Sequence, residues 1–198
     1  MLYNKNNLAV AKIAAKDDNS RPEITGVFFT KDKTVATDSF RLIEVSVDET
    51  LKPQDFPVVN RKKALQNCPP FIIPAEEVKK IKLPNNKNLP IVENLAIGGV
   101  YQEEVELITT NLESVEGRLV KRIQGRFPDY EWVFPQGKPK AEISVNGKFL
   151  EELLSILSNL DDVHAVKIKF YDNEKPLVLE AGNEKQKARA LLMPLKNL

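Results

Sequence analysis

Apolar and polar residues alternate along much of this chain with a period of two, which predicts short β-strands. The clearest case is residues 34–47, which read TVATDSFRLIEVSV and place an apolar run on each side of a Thr-Asp-Ser cluster. Asp and Ser favour tight turns because their side chains hydrogen-bond the nearby backbone. The stretch therefore predicts a β-hairpin that turns at Asp38–Ser39, with Phe40 and Arg41 near the surface.

Nine further strands and three helices are predicted in the same way. The strands are short segments rich in β-branched or aromatic residues, at 24–30, 71–73, 91–97, 103–109, 117–123, 143–145, 165–170, 177–180 and 188–193. The helices are amphipathic segments at 8–15, 75–81 and 147–160. We expect Asn6 or Asn7 to cap the first helix and Asn146 to cap the third. Pro74 fits the first turn of the second helix, where its missing N–H is tolerated.

The order of these elements repeats three times, at about residues 1–50, 70–135 and 140–198. Each repeat has a strand or chain end, then one helix, then three strands. One amphipathic helix and one small sheet cannot each bury an apolar face alone, so we expect the repeats to stack. The pattern predicts an α+β fold with helices on one face of a continuous antiparallel sheet.

Composition indicates a globular protein but does not favour any one class of partner. The 198 residues are 42% apolar and 29% charged, and Lys plus Arg number 29 against 28 for Asp plus Glu. Net charge therefore favours neither a nucleic acid nor a membrane as partner, and a basic surface would require an uneven distribution of charge. Without a signal peptide at the N-terminus or an apolar run of about 18 residues, we expect a cytoplasmic protein that does not span a membrane.

Residues that could carry catalysis or bind a metal are scarce. Cys68 is the only cysteine, so no internal disulfide is possible, and the residue reads as an inert, partly buried thiol. His164 is the only histidine and has no second ligand or nucleophile nearby in sequence, so we expect it to be an exposed strand-end residue. No phosphate-binding loop is present. The sequence predicts neither an enzyme, nor a cofactor, nor a metal site.

Residues 125–135, which read GRFPDYEWVFP, form the densest aromatic segment. Four rings within eight residues need burial, and the two prolines exclude a central strand. Two interpretations remain open, a packed connector between domains or a connector that walls a groove. Residues 136–140 follow as an exposed linker.

Three segments together resemble a known family. VATDSFRL at 35–42, GRFPDYEWVFP at 125–135 and ALLMPLKNL at 190–198 are similar, in the same order, to three signatures of the bacterial DNA polymerase III beta subunit, the sliding clamp. IIPAEEVKKI at 72–81 and KPLVLEAG at 175–182 lie where the resemblance expects a helix and a strand. The resemblance implies a complete domain at 1–135, like the middle domain of the family, and a half domain at 141–198, like the second half of its last domain.

The resemblance implies a non-catalytic processivity or recruitment factor in DNA replication. The family encircles duplex DNA as a head-to-tail ring of six two-unit domains whose helices line the hole. Three units per chain would require four copies to supply the same twelve, and two copies could pair through their C-terminal units. The implied partners are double-stranded DNA, peptides of DNA polymerases and clamp loaders, and further copies of the chain.

The resemblance also implies a pocket for short peptide motifs between the middle and last domains. The positions that match its lining are Ile24 on the first strand, Thr37, Ser39, Phe40, Arg41 and Leu42 on the hairpin, Pro128 and Val133 in the aromatic segment, and Leu191, Met193, Pro194 and Leu195 at the C-terminus. Aliphatic side chains beside an adaptable Met make a suitable apolar groove. The alternative interpretation is that these residues only seal a contact between domains.

This sequence departs from the family at two places in that pocket. Ser39–Phe40 stands where the family usually has Gly–His, which places an aromatic ring at the pocket floor. Glu131–Trp132 stands where two arginines are common, which removes positive charge from the rim. Both changes bear on which peptide motif the pocket accepts.

Contact with DNA would require basic side chains on the helices that line the hole, directed at phosphates without base readout. The candidates are Lys12, Lys16, Lys79, Lys80 and Lys82. The alternative is that these lysines are simply solvated. Two functional hypotheses follow, a reduced sliding clamp and a clamp-derived peptide-binding adaptor that never encircles DNA.

Overall fold

The computed structural model describes residues 1–58, 62–86, 88–160, 162–172 and 174–195. The chain divides into two compact units, Met1–Glu131 (unit 1) and Trp132–Leu198 (unit 2). The predicted division into a domain at 1–135, a linker at 136–140 and a half domain at 141–198 stays a prediction. No helix in the described ranges is long and apolar enough to cross a membrane.

The helices of unit 1 are shorter than the sequence predicts. Helix α1 (Lys5–Ala9) continues as a 3₁₀ turn, Val10–Lys12. The helix and the turn together begin and end three residues before the predicted helix at 8–15. The reason is the cap, because the side chain of Asn4, rather than that of Asn6 or Asn7, accepts the first free N–H groups of the helix. Helix α2 (Ala75–Lys79) begins as predicted, and Pro74 is its N-cap.

The strands of unit 1 form two antiparallel sheets, and the expected single continuous sheet is wrong. They are β1 (Leu2–Tyr3), β2 (Gly26–Phe29), β3 (Lys33–Thr37), β4 (Leu42–Ser46), β5 (Phe71–Pro74), β6 (Leu95–Val100), β7 (Glu104–Thr110) and β8 (Val115–Lys121). One sheet has the order β1-β6-β7-β8 and the other β4-β3-β2-β5. A backbone hydrogen bond of 2.9 Å from Ile123 N to Ile72 O links them.

In unit 1, two of the predicted strands begin later than expected because a 3₁₀ turn comes before them. Ile24, placed on the first strand by the sequence, lies instead in a 3₁₀ turn, Pro22–Thr25, and is buried. The strand predicted at 91–97 begins only at Leu95, after a second 3₁₀ turn, Pro90–Glu93. Both turns start with a proline, which fixes the φ angle that a 3₁₀ turn uses and donates no hydrogen bond to a sheet.

The two halves of unit 1 exchange their first strands. Strand β1 precedes α1 but pairs with β6, which follows α2, and β5 precedes α2 but pairs with β2, which follows α1. Each half therefore supplies an edge strand to the sheet of the other. Strand β1 has only two residues, too few to show a period of two, and for that reason the sequence did not reveal the exchange.

One apolar cluster lies between the helices and the two sheets of unit 1. It is built from inward-facing strand residues and from one face of each helix, including Leu8, Val27, Phe29, Val78, Leu95, Ile97 and Val105. The rings of Tyr3 and Phe29 meet edge to face at 4.9 Å, and Phe29 stacks on Phe71 at 5.1 Å. Residues from both halves contribute, so neither half has this core alone.

Unit 2 has one helix on one sheet. The sheet consists of the antiparallel strands β9 (Lys167–Lys169), β10 (Leu177–Gly182) and β11 (Lys187–Leu192). Helix α3 (Gly147–Leu157) is capped by Asn146 as predicted, and it packs on β10 and β11. Leu157, Leu177, Leu179 and Leu192 form the buried core. The strand predicted at 143–145 is wrong, because that segment has no strand beside it in the described part of the chain.

A buried asparagine joins α1 to the central hairpin. The side chain of Asn7 is 0% exposed, and its Nδ2 donates to the backbone oxygens of Val45 at 3.0 Å and Ser46 at 3.1 Å. The backbone carbonyl oxygen of Asn7 accepts a hydrogen bond from the Thr34 hydroxyl at 3.0 Å. These bonds pair polar groups that would otherwise be buried without partners.

Replacing Asn7 by Ala should therefore destabilise unit 1 by about 2 kcal/mol, because the hydrogen bonds from the buried Asn7 side chain to Val45 and Ser46 are lost. Urea denaturation followed by circular dichroism measures the change in the free energy of unfolding. Asn6→Ala is the control, since Asn6 lies exposed on the same helix. Equal losses in the two variants would contradict the role given to Asn7.

Candidate peptide-binding site

The loop between β3 and β4 holds three of the residues that the sequence assigned to a peptide pocket, Ser39, Phe40 and Arg41, and Thr37 and Leu42 flank it. Asp38 organises this loop. Its carboxylate accepts hydrogen bonds from the backbone N–H groups of Phe40 and Arg41, both at 3.0 Å, and from Arg41 Nε at 2.9 Å. The Thr37 hydroxyl donates to the Arg41 carbonyl oxygen at 2.9 Å. The loop is thus fixed by its own side chains.

Ser39 and Phe40 take unusual positions at the tip of this loop. Ser39 has a φ of +76°, in the left-handed region that glycine occupies most easily. Phe40 is 98% exposed, so its ring fills no cavity here, although the sequence placed it at the floor of the pocket. An exposed ring on a fixed loop is available to an apolar partner.

The charge on Asp38 is stabilised where it lies. Partial burial alone would raise the pKa of this carboxyl, but the hydrogen bonds from the Arg41 side chain and from two backbone N–H groups lower the pKa below its ordinary value. Arg41 therefore has a charged partner on its own loop.

The remaining unit 1 positions differ in exposure. Ile24 is only 2% exposed and offers almost no surface to a ligand. Leu42 is half-buried in a cluster with Val35, Phe127 and other residues on the outer face of the β4-β3-β2-β5 sheet. Pro128 is exposed and lines a separate groove of about 830 Å³, which the hairpin loop does not enter.

The aromatic segment is buried at its start and exposed at its end. Phe127 stacks on Phe28 with ring centroids 4.9 Å apart, and Tyr130 meets Phe127 edge to face at 6.0 Å. Trp132 and Phe134 are 76% and 41% exposed, so the expectation that all four rings are buried is wrong for these two. Unit 1 ends where the exposure begins.

Lys33 ties this segment to the sheet, a role that the sequence analysis missed. Its Nζ lies 2.7 Å from carboxylate oxygens of Glu131 and of Glu44, and 5.3 Å from the centre of the Tyr130 ring. The hydrogen bond to Glu131, and to a smaller extent the one to Glu44, raises the pKa of Lys33. Glu131 is 98 positions away in sequence, so no local pattern indicates the contact.

The C-terminal positions of unit 2, from Leu191 to Leu195, form an exposed apolar strip, and Val133 is exposed as well. Leu191 on β11 is 64% exposed, Met193 59%, Leu195 43% and Val133 55%, whereas Pro194 is half-buried. The strip is held in place, because Leu195 N donates to Ser144 O at 2.8 Å. Adjacent exposed aliphatic side chains with a Met among them are typical of a contact surface.

The lysines proposed to face DNA are of two kinds. Lys79 and Lys80 on α2 form ion pairs with Glu76 at 2.6 Å and Glu77 at 2.7 Å, and Arg118 also pairs with Glu77. The exposed lysines Lys12, Lys16 and Lys82 have no salt bridge to a described residue. The charge of α2 is therefore largely balanced, whereas α1 and its 3₁₀ turn carry no acidic residue.

Cys68 and His164 contribute no reactive site. Burial raises the pKa of the half-buried Cys68 thiol, which disfavours the nucleophilic thiolate. His164 is exposed, and its Nδ1 lies next to the carbonyl oxygen of Ser158. In the described ranges no group of three or more His, Cys, Asp or Glu side chains is arranged to hold a metal ion.

This chain has the fold of a DNA sliding clamp. Its strands are exchanged between halves, and its helices pack on one side of each sheet. Solved structures with this fold include the DNA polymerase III beta chain of Streptococcus pneumoniae, at a TM-score of 0.67 and 18% identity over 99% of this chain and 49% of that one. A DNA polymerase sliding clamp of Pseudomonas aeruginosa matches at 0.65 and 18% over 100% of this chain and 51% of that one.

The beta sliding clamp of Caulobacter crescentus matches at a TM-score of 0.64 and 16% identity, over 98% of this chain and 50% of that one. The chain thus spans about half the length of the clamps it resembles. Comparisons with protein-family models and with curated protein sequences found no match. The predicted α+β clamp fold is confirmed.

Replacing Arg41 by Gln should raise the pKa of Asp38 toward the ordinary value of about 3.9, because the carboxylate loses its charged donor. The lowered pKa means that Asp38 stabilises the loop above the unfolded-state pKa and that this stabilisation is lost as pH falls through the folded-state pKa. An NMR titration of the carboxyl carbon measures the shift. Asp18 is the control, since a hydrogen bond from Ser20 lowers its pKa to about 2. An unchanged pKa of Asp38 would show that Arg41 does not lower it.

Proposed function

We propose that this protein is a non-catalytic, sliding-clamp-like factor of cytoplasmic DNA replication that recruits proteins through short clamp-binding peptides. The observation that supports the proposal most strongly is the exposed strip of Leu191, Met193 and Leu195. These residues lie in the segment whose sequence resembles the C-terminal signature of the clamps. Large apolar side chains left in water favour an apolar partner, since their burial contributes about 25 cal/mol per Å².

The hairpin loop of unit 1 carries polar groups suited to a peptide. Its backbone is fixed by Asp38, so a bound peptide would not have to order it. Thr37 and Arg41 carry the hydrogen-bond donors, and the exposed Phe40 adds apolar area. Arg41 is already paired with Asp38, so the proposed site attracts peptide carboxylates less strongly than a free arginine would.

Met193→Ala and Leu42→Ala should each weaken peptide binding by about tenfold, as expected for central apolar contacts. Fluorescence polarisation with a labelled clamp-binding peptide from a bacterial replicative DNA polymerase measures the affinity. Leu119→Ala is the matched control, because Leu119 is 57% exposed on β8 and lies outside the proposed site. Unchanged affinity in both test variants would contradict a role of these residues in peptide binding.

We also propose that the protein contacts duplex DNA through the exposed lysines near α1. Lys12 ends the 3₁₀ turn after α1, and neither this turn nor α1 carries an acidic residue, which suits contact with phosphates. Lys16 lies four residues further on, beside Asp17, and is exposed. Lys79 and Lys80 are already paired with carboxylates, so they have less to gain from a phosphate.

Lys12→Glu with Lys16→Glu should therefore weaken DNA binding more than Lys79→Glu with Lys80→Glu, and should reduce the salt dependence by about one unit of slope for each lost phosphate contact. Binding of a fluorescent duplex, measured by anisotropy across a salt series, tests this order. Equal effects of the two double variants would argue against a contact centred on α1.

A peptide-binding adaptor that does not encircle DNA is the second candidate. The balanced charge of α2 and the exposed Glu151 and Glu152 of α3 favour it, because acidic helices repel a phosphate backbone. Retention on nicked circular DNA, with loss on linearisation, would establish encirclement. Peptide binding without such retention would establish the adaptor.

A further inference from the structure

Unit 1 shows how a half of this fold is completed. The segment before each helix lies along the first strand that follows the other helix, as β5 lies along β2. Helix α2 then packs on β2, a strand of the other half, while α1 packs on β3 and β4 of its own half. The result is that Val27 and Phe29 of β2 are 0% exposed.

Unit 2 contains the elements of one such half without the other. Residues 143–145, α3 and the strands β9 to β11 follow the order of β5, α2 and β6 to β8. The two units also have an equivalent hydrogen bond. In unit 2, Ser144 O accepts from Leu195 N, and in unit 1, Ile72 O accepts from Ile123 N. Both carbonyl groups lie two residues before a helix N-cap. Residues 143–145 therefore hold the place of β5 but lack the strand that β2 provides.

The first strand of unit 2 is correspondingly uncovered. Strand β9 pairs with β10, and its second edge has no strand beside it in the described chain. Ile168 lies opposite Leu179, which is 0% exposed on the helix side of the sheet, yet Ile168 itself is 53% exposed. The reason is that α3 packs on β10 and β11, the second and third strands, as α1 does in unit 1.

Helix α3 also has an uncovered apolar flank. Leu150, Leu153, Leu154 and Leu157 face the core of unit 2. Phe149 and Ile156 are 56% and 66% exposed. They lie two helical turns apart, next to the buried face and along one edge of it. An apolar flank beside a buried face is expected where a second helix packs alongside, as α1 and α2 do in unit 1.

We propose that unit 2 of a second copy of this chain completes unit 2 of the first, forming a two-fold symmetric dimer. In this dimer, residues 143–145 of each copy pair with the free edge of β9 in the other, and α3 of each copy covers Ile168 of the other. The surface is self-complementary, because each copy has both the segment that is donated and the edge that receives it.

Charge supports a second copy as the occupant. Lys167 and Lys169 lie on the face of β9 opposite to Ile168, where single lysines normally discourage edge pairing. Lys169 already pairs with Glu180 at 2.7 Å, so Lys167 is the lysine that an incoming carboxylate would meet. Ser144 corresponds in position to Ile72 of β5, and Phe28, the strand partner of Ile72, is on the outer face of its sheet. Glu142 lies two residues before Ser144 and therefore shares its face. The incoming segment therefore places a carboxylate on the same face as the lysines.

Light scattering on the full chain, at several protein concentrations, tests the proposal independently of peptide or DNA binding. The expected result is a concentration-dependent rise to twice the monomer mass of 22.4 kDa. Ile168→Glu and Phe149→Glu should each raise the dissociation constant by at least about tenfold, since each places a charge in an apolar contact. Amide exchange should show protection of β9 N–H groups that face away from β10, lost in Phe149→Glu.

Leu119→Glu is the matched control, because it adds the same charge at a strand residue of similar exposure, 57%, in unit 1. It should leave the dissociation constant unchanged, and circular dichroism should show native folding of all three variants. A wild-type mass that stays monomeric at every concentration would overturn the proposal. A dimer that forms equally well in Ile168→Glu and Phe149→Glu would overturn it too, because the contact would then lie elsewhere.

Discussion

Four backbone pairs between β5 and β2, and two between β1 and β6, join halves of unit 1 that are far apart in sequence. Each half alone has a three-stranded sheet and one short helix, which cannot enclose a core. The exchange extends each sheet to four strands and brings both helices over one apolar cluster. The position of the β3–β4 loop depends on this pairing, because the loop connects two strands of the sheet that β5 completes.

Short polar contacts then fix the parts that the core does not reach. Asn7 secures the hairpin from below by donating to the backbone of β4, and Asp38 secures its tip. On the outer face of the same sheet, the stacked pair of Phe28 and Phe127 holds the aromatic segment, with Lys33 bonded to its end. The hairpin is therefore restrained at its base, at its tip and on its outer face, which suits a loop that binds a partner without rearranging.

Much of this arrangement was predictable from local patterns, and the remainder depends on distant contacts. The hairpin, the cap at Asn146 and the start of α2 at Ala75 agree with the sequence, because turn and capping residues act on their neighbours. The segment 143–145 has the composition of a strand, but a strand exists only where another backbone supplies its hydrogen bonds. Lys33 and Glu131, like Asn7 and Ser46, are brought together only by the fold.

Comparison of the two units gives the exposed residues of unit 2 a physical meaning. Residues equivalent in topology are buried in unit 1, where Val27 is 0% exposed, and open in unit 2, where Ile168 is 53% exposed. Sequence composition alone does not distinguish these residues, since both are β-branched strand residues. The difference is the presence of a second half. The apolar strip at Leu191–Leu195 lies on another strand, β11 and the segment after it, so the proposed dimer through β9 and α3 does not cover the proposed peptide site.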